Sequence, residues 1–254
     1  MINRAERRVM SRWRSTERQT KVFMESLQIK RMFETIAPSY DFQNSFLSLG
    51  RDIGWRRALA RRIRAPEGAV LLDAATGTGE LCIEICMHWP TIRTVGVDFS
   101  PHMLAIAKKK LQSKPFLNRT SLALGDGRLL PIKSDSVHVV TMAFGIRNIK
   151  ERRQVLAEFM RVLKRAGQLL IMEFDFPNHR LMGPLYRFYF EHILPPLGNW
   201  ISRTDYAYTY LVHSVHQFPS EEEFCAEIKD AGFSMPKLRA LTFGIAKIYE
   251  ADKV

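Results

Sequence analysis

The feature that most constrains the fold is a strand-length apolar run that ends at an acid and leads through a glycine turn into a helix. The run begins at Val70, reaches the acid at Asp73, and passes Gly77 and Gly79 before a helical pattern starts. Glycine has no Cβ, so such a turn lets the backbone approach a ligand closely. Since ligands of open α/β sheets bind beyond the carboxyl ends of the strands, we expect this turn to line a site.

A second predicted strand, residues 93–98, also ends at an acid, Asp98. This acid lies about twenty residues beyond Gly77, a separation at which a carboxylate reaches both hydroxyls of a ribose. A dinucleotide site would need a third glycine, but that position is Cys82, and Glu80 would meet a pyrophosphate with negative charge. The pattern instead suits a ligand with an adenosine, a cationic centre and no phosphate, which describes S-adenosylmethionine. The residues predicted to bind it here are Asp73, Gly77, Gly79 and Asp98.

Strands and helices alternate along the chain, which predicts a parallel, doubly wound sheet. The strands are predicted at 69–73, 93–98, 119–124, 137–143 and 167–174, with two more near 236–242 and 244–250. The helices between them are predicted at 79–88, 101–112, 151–164 and 220–231. Further helices over 28–64 precede the sheet, and an aromatic insertion over 177–218, helical in pieces, interrupts it.

Composition limits the classes that remain. With 254 residues, 46% hydrophobic and 25% charged, the chain fits one globular domain with additions. No apolar run approaches the ~20 residues of a membrane-spanning helix, and the basic N-terminus lacks the apolar core of a secretory signal. The three cysteines form neither a disulfide framework nor a zinc pattern. We therefore expect no metal site and a reducing, cytoplasmic compartment.

The formal net charge of +12 indicates an anionic partner, either nucleic acid or an acidic membrane surface. Much of the charge lies early, and we predict a basic extension over residues 1–27 ahead of a domain at 28–254. Two readings of this charge stay open, a membrane-directed surface and a simply solvated one.

The fourth predicted strand is followed by Phe144-Gly145-Ile146-Arg147-Asn148, which places a polar pair directly after a buried strand. Enzymes that methylate nucleic-acid amines usually have an N/D-P-P-Y/F sequence at this place, and cytosine ring methylation needs a Pro-Cys nucleophile. Neither occurs in the chain, which argues against a nucleic-acid substrate. After the third strand, Asp126 can accept a hydrogen bond from an adenine amino group.

Four segments of the chain together carry a family resemblance. They are residues 33–44 with 48–50 and Trp55-Arg56, residues 73–79, residues 144–148, and a last stretch from Tyr206 through Phe218-Pro219 to Phe233. These segments resemble the C-methyltransferases of menaquinone and ubiquinone biosynthesis, over roughly residues 28–246. The resemblance implies an α/β, Rossmann-like class I methyltransferase: a seven-stranded, mostly parallel sheet with N-terminal helices and a helical lid insertion.

The resemblance also implies the reaction, carbon methylation of a polyprenylated quinol ring with S-adenosylmethionine as donor. Demethylmenaquinol is favoured over the benzoquinol of ubiquinone biosynthesis. Two alternatives stay open: an enzyme that uses the same cofactor to methylate a nucleic acid or another small molecule, and a non-catalytic partner that binds S-adenosylmethionine. By resemblance, the cofactor contacts include Thr78, Asp98, Asp126 and Gly127, together with Ala143, where the family often has serine. The substrate side includes Tyr40, Arg147 and Asn148.

Chemistry gives the substrate-side residues expected roles. Arg147, which is always cationic, is expected to stabilise a developing oxyanion and to orient a water that takes the proton. Tyr40 would hold the other oxygen or face the ring, and Asn148 would fix Arg147 or a ring oxygen. Plainer alternatives are a helix cap for the polar pair and a core position for Tyr40. We also expect a homodimer and peripheral contact with the inner face of an anionic membrane.

Overall fold

The structure is a computed structural model, and it describes most of the chain from residue 50 onward. The described residues are 50–177, 182–194, 196 and 207–254, together with Met32, Glu34, Thr35, Ala37, Tyr40, Asp41, Ser45 and Ser48. The predicted basic extension at 1–27 lies outside the described residues, as does part of the predicted insertion at 177–218. The division into extension and domain therefore stays a prediction.

Seven strands form one sheet. They are β1 Val70–Ala74, β2 Arg93–Asp98, β3 Thr120–Leu124, β4 Val137–Ala143, β5 Leu163–Phe174, β6 Lys237–Leu241 and β7 Ala246–Asp252. Their order is β3-β2-β1-β4-β5-β7-β6, and only β7 runs antiparallel to its neighbours. The predicted seven-stranded, mostly parallel α/β sheet is confirmed. The chain changes direction across the sheet between β1 and β4, and a crevice at such a switch point is where doubly wound sheets bind ligands.

Seven helices are described. They are α1 Arg51–Ala60, α2 Glu80–His88, α3 Pro101–Gln112, α4 Arg152–Val162, α5 Met182–Phe188, α6 Ala207–His216 and α7 Glu221–Asp230. The start of α3 follows from its sequence, because the Ser100 hydroxyl accepts the Met103 N–H and Pro101 occupies the first turn. A capping box between Ser220 and Glu223 begins α7 in the same way.

The observed boundaries differ most clearly from the sequence prediction between α4 and β5. The helix predicted over 151–164 ends at Val162, and β5 begins at Leu163 rather than at residue 167. Leu163 pairs with Val137 of β4, just before a shift in the register of the two strands, and is fully buried. Sheet pairing and burial therefore decide this segment, whose local pattern does not separate a helix from a strand.

The core lies on both faces of the sheet, because the side chains of a strand alternate. Leu72 packs with α4 and α7 through Phe159 and Phe224. The neighbouring Leu71 points to the other face and packs with α1 and α2 through Leu59 and Ile85. Helices thus cover both faces of the sheet, and its carboxyl edge carries the loops that form the site.

The insertion continues from α5 into a π-helical turn, Tyr189–Ile193, and packs beside the N-terminal residues. Phe190 and Leu194 form a small buried cluster with Met32, and Tyr40 packs against it. The described part of the insertion is therefore helical in pieces, as predicted, and lies next to the site.

Candidate functional site

The turn after β1 leaves open space for a ligand. Ala75, Gly77 and Gly79 have positive φ angles of 52°, 56° and 83°. A Cβ at Gly77 would meet nothing within 4 Å, whereas one at Gly79 would lie 3.1 Å from the Cβ of Ala107. Glycine at position 79 therefore permits close packing against α3. The missing side chain at Gly77 leaves space in which a ligand can approach the backbone closely.

Asp98 supports this turn from the end of β2. Its buried carboxylate accepts the Gly77 N–H at 2.8 Å and the Ser100 N–H at 2.9 Å. Burial raises the pKa of Asp98, and the backbone hydrogen bonds partly oppose that shift. Each carboxylate oxygen has a second lone pair, so the group retains acceptor capacity for a ligand hydroxyl.

Asp73 connects the turn to β4. Its fully buried carboxylate accepts hydrogen bonds from Thr76 Oγ1 at 2.7 Å and Thr141 Oγ1 at 2.8 Å. Burial raises the pKa of Asp73 to about 6, although these hydrogen bonds act in the opposite direction. A carboxyl group with this pKa is still largely ionised at neutral pH, but it takes up a proton in mildly acidic solution.

We expect binding of a cationic ligand such as S-adenosylmethionine to weaken below about pH 6, the pKa of Asp73. A nearby cation favours the ionised carboxylate, so binding lowers this pKa and releases a proton. Affinity is then constant at higher pH and falls as pH drops through the pKa. About one unit below the pKa the loss reaches up to about tenfold. Isothermal titration in buffers of different ionisation enthalpy measures both the affinity and the released proton.

The matched variant for this prediction is Asp73→Asn, in which the acidic fall in affinity should become smaller. Asp98 lies nearby, and burial raises its pKa as well, so the variant separates the two contributions. Equal affinity of the native protein at about pH 5 and about pH 8 would contradict the prediction, since the carboxyl group would be mostly protonated at the lower value.

The turn opens into a cleft, called here the main cleft. The space between its walls amounts to about 1060 Å³, which includes open solvent at its mouth. Its lining consists of residues 97–99, 125–128, 142–145 and 148–151 with Tyr40, Ala75, Gly77, Met103 and Leu130. A smaller side pocket adjoins it, and Tyr40, Ala75 and Gly77 line both.

The turn after β4 touches the glycine turn directly. A Cβ added at Gly145 would lie only 2.8 Å from the Cβ of Ala75, so glycine is needed for this approach. Phe144 has a φ of 57°, in the left-handed region, and its ring stacks on Phe174 at a centroid distance of 4.4 Å. A strained residue held by packing is typical of functional sites.

Arg147 lies behind this turn, and it is not among the residues that line the main cleft. Its Nη1 donates to Glu173 Oε1 at 2.7 Å and to the Phe144 carbonyl at 2.6 Å. Both side chains are buried, with 7% and 1% of their surface exposed. Nε of Arg147 is buried with no hydrogen-bond partner among the described residues. The catalytic role predicted for Arg147 stays a prediction.

Asn148 and Tyr40 both line the main cleft. Asn148 Nδ2 lies 3.4 Å from the Phe144 carbonyl, and its Oδ1 accepts a hydrogen bond from the Tyr210 hydroxyl at 3.2 Å. Asn148 therefore ties the turn after β4 to α6. The structure brings the predicted substrate-side residues Asn148 and Tyr40 to one cleft, while their roles stay predictions.

The other predicted cofactor contacts lie around the same space. Asp126, Gly127 and Ala143 line the main cleft, and Thr78 lines the side pocket. The Asp126 carboxylate is paired with Arg128 at 2.7 Å, and the hydrogen bonds from Arg128 lower the pKa of Asp126 although partial burial opposes them. An adenine amino group would therefore share this carboxylate with Arg128.

Two residues of the site are absent from the sequence prediction. Glu173 is buried beside Arg147, and Tyr210 holds Asn148. A signal for Glu173 exists, since it is the single acid in the apolar stretch 169–174, and buried acids are usually paired. Nothing in the local pattern around Tyr210 indicates its partner.

The described part of the chain contains neither a group of residues suited to a metal ion nor a membrane-spanning helix. In that part, no group of His, Cys, Asp or Glu side chains is arranged to hold a metal ion. Its helices also include none with the length and apolar content needed to cross a membrane.

Comparison with known proteins gives consistent matches. The model of the ubiE/COQ5 methyltransferase family matches residues 20–253. A ubiquinone/menaquinone biosynthesis C-methyltransferase of Geobacter sulfurreducens is 44% identical over 227 residues, which cover 89% of this chain and 88% of that protein. A demethylmenaquinone methyltransferase of Deinococcus radiodurans is 43% identical over 225 residues, covering 89% and 92%. The crystal structure of a SAM-dependent methyltransferase from Aquifex aeolicus has a similar fold, with a TM-score of 0.57 at 20% identity over 78% of this chain and 89% of that one.

Proposed function

The chain belongs to the ubiE/COQ5 methyltransferase family, and on that premise we propose that it methylates a ring carbon of a polyprenylated quinol, with demethylmenaquinol as the preferred substrate. S-adenosylmethionine is the methyl donor. The relatives named above for ubiquinone/menaquinone and demethylmenaquinone methylation support this reaction. The choice of demethylmenaquinol over the benzoquinol is the finer part of the proposal.

The observation that carries the proposal is the contact between two turns at the switch point of the sheet. The glycine turn after β1 and the turn after β4 approach so closely that a Cβ at Gly145 would lie only 2.8 Å from the Cβ of Ala75. Both turns line the main cleft. A donor on one turn would therefore face an acceptor on the other, and such positioning removes up to about 7–11 kcal/mol of a reaction barrier.

The described residues fit the cofactor. Asp98 would accept the ribose hydroxyls, the backbone at Gly77 would approach the nucleoside, and Asp126 with Gly127 would contact the adenine. When bound, S-adenosylmethionine supplies a methyl group that is electrophilic because it is attached to a sulfonium. The protein therefore has to supply electron density on the quinol ring.

The substrate side of the cleft would provide this density. A ring carbon becomes nucleophilic when a quinol oxygen loses its proton, because the negative charge delocalises onto the adjacent carbon. Asn148 and Tyr40, which line the main cleft, would hold the two ring oxygens. Arg147, which lies behind the turn, would stabilise the oxyanion through a water that takes the proton. The counter-charge of Glu173, 2.7 Å from Arg147 Nη1, would moderate that stabilisation.

We place the protein at the cytoplasmic face of an anionic membrane, where polyprenylated quinols reside. Phe188 and Ile193 of the insertion have 56% and 42% of their surface exposed, and the exposed Arg187 is their neighbour. Apolar side chains beside a cation suit the interface between lipid tails and acidic headgroups. The homodimer stays a prediction.

The test is an assay of the purified protein with S-adenosylmethionine and two quinols, demethylmenaquinol and the benzoquinol precursor of ubiquinone. We expect mass spectrometry to detect one added methyl group on the ring of demethylmenaquinol, at a higher kcat/KM than for the benzoquinol. Anionic vesicles should raise the rate with a long-tailed quinol and leave the rate with a short-tailed quinol unchanged.

Each outcome decides between the alternatives. Faster methylation of the benzoquinol would overturn the choice of substrate, but not the reaction. Binding of S-adenosylmethionine with no product from either quinol would favour a non-catalytic partner. A rate on long-tailed quinol that does not depend on vesicles would overturn the membrane proposal.

A further inference from the structure

Asp41, next to Tyr40 in the N-terminal part of the chain, joins that part to the glycine turn. The Thr78 hydroxyl donates to Asp41 Oδ1 at 2.5 Å. Lys110 Nζ forms an ion pair with Asp41 Oδ2 and a second one, at 2.6 Å, with Glu80 Oε1. One carboxylate thus contacts both the turn that lines the site and the end of α3.

The partners of Asp41 belong to the α/β core, and their charges are favourable at their positions even without Asp41. Glu80 begins α2, where a negative charge is favourable, and Lys110 lies in the last turn of α3, where a positive charge is favourable. The core therefore offers Asp41 two partners, the hydroxyl group of Thr78 and the ammonium group of Lys110. Asp41 is the member of this cluster that comes from outside the core.

A second contact joins the same parts of the molecule. Glu34 Oε1 lies 3.8 Å from His102 Nδ1, at the start of α3. Glu34 and Asp41 therefore approach opposite ends of α3. The described N-terminal residues therefore have two contacts with one helix, and one of these contacts lies directly beside Tyr40.

The contacts of Asp41 bear on the site because Asp41 is the chain neighbour of Tyr40. Tyr40 lines both the main cleft and the side pocket, and it directly precedes Asp41 in the chain. Its place over the cleft consequently depends on where the backbone of Asp41 is held. The Thr78 hydroxyl, predicted from the family resemblance to contact the cofactor, donates instead to Asp41.

We propose that Asp41 is a positioning residue that holds Tyr40 beside the glycine turn, where Tyr40 helps to retain the bound methyl donor in the main cleft. The inference rests on the proposed function, because it assigns a donor to the main cleft. The ion pairs are partly exposed, with 25% to 35% of each side chain accessible. Such pairs contribute little to global stability, so the loss of Asp41 should change the position of Tyr40 rather than the folding of the core.

The experiment compares Asp41→Ala with the native protein and with Lys109→Met. Lys109 is the exposed neighbour of Lys110 on α3, so its replacement removes the same charge without touching Asp41. We measure the dissociation rate of S-adenosylhomocysteine and hydrogen exchange of the peptide that contains Tyr40 in the ligand-free protein. Asp41→Ala should dissociate the ligand about tenfold faster, equivalent to the loss of one charge-assisted contact. Its Tyr40 peptide should exchange faster, with the melting temperature nearly unchanged.

A double-mutant cycle tests whether Asp41 acts through its ion pair with Lys110. Lys110→Met should raise the dissociation rate as well, and the combination with Asp41→Ala should add little, because both remove one contact. Added salt should accelerate dissociation from the native protein and from Lys109→Met more than from Asp41→Ala. A role in folding alone would change neither this salt dependence nor the ligand dissociation rate.

The proposal is overturned if Asp41→Ala matches Lys109→Met in both exchange and dissociation. Failure of the proposed function has a different signature, since the native protein would then not bind S-adenosylhomocysteine at all. In that case retention of a donor by Tyr40 fails with it, and exchange in the ligand-free protein still decides whether Asp41 holds Tyr40 in place.

Discussion

Replacement of Glu173 by alanine is expected to lower the free energy of unfolding by about 3–5 kcal/mol, because it leaves a buried guanidinium without its counter-charge. Arg147 and Glu173 have 7% and 1% of their side-chain surface exposed. The glutamate also accepts the backbone N–H groups of Arg147 and Phe174, so the variant removes their acceptor as well. Urea denaturation followed by circular dichroism measures the change.

A more exposed ion pair provides the matched control. Arg152 and Glu227 form a two-point pair, but about a fifth of each side chain is accessible. Glu227→Ala should therefore cost about 1 kcal/mol or less, as expected for pairs near the surface. Equal losses in Glu173→Ala and Glu227→Ala would contradict the prediction, since burial would then make no difference.

A double variant separates stability from chemistry. Replacing Arg147 with methionine and Glu173 with leucine removes both charges at once, and such replacements of buried pairs are frequently neutral or stabilising. We expect the double variant to recover part of the stability lost in Glu173→Ala but not all of it, because the backbone N–H groups of Arg147 and Phe174 still lack their acceptor. It should bind S-adenosylhomocysteine and lose methylation activity. Retention of full activity would show that the Arg147 guanidinium has no part in the reaction.

Replacement of Asp98 by alanine is expected to weaken binding of S-adenosylmethionine about 100-fold or more. The variant would lack the hydrogen bonds that the carboxylate makes to the ribose hydroxyls in this proposal, each worth about 1.5–3 kcal/mol when one partner is charged. It would also release the Gly77 N–H, which shapes the turn at 2.8 Å. Isothermal titration with S-adenosylmethionine and with S-adenosylhomocysteine measures the loss.

Two further variants define the origin of this effect. Asp98→Asn keeps the shape but turns a donor toward one of the backbone N–H groups, so it should also bind weakly. Asp230→Ala removes an exposed acid at the end of α7 and should bind as the native protein does. If Asp98→Ala bound the cofactor with native affinity, the ribose contact would be refuted and the cofactor would have to lie elsewhere.

The variants Glu173→Ala and Asp98→Ala should affect different properties of the protein. Glu173 lies behind the cleft, where it is surrounded by protein, so its loss is expected mainly in the free energy of unfolding. Asp98 borders the main cleft, so its loss is expected mainly in ligand affinity. A result in which both variants changed only stability would leave the proposed site without support.

The sequence by itself determined the sheet and the place of the site. Apolar runs of strand length that end at Asp73 and Asp98 predict where parallel strands stop, and the glycines predict the turn, because both depend on local periodicity and on the missing Cβ. The resemblance over the turn after β4 adds the family. These features lie within short stretches of chain, so they can be recognised without any tertiary contact.

Only the tertiary structure decided which side chains meet. Glu173 lies 26 residues from Arg147, and Tyr210 lies 62 residues from Asn148, so no local pattern connects them. The same holds for Asp41, which reaches Lys110 across 69 residues. Packing of distant segments determines which polar groups are buried, and burial in turn requires each of them to find a partner. The sequence therefore located the cleft, while the fold determined the partners that hold its residues in position.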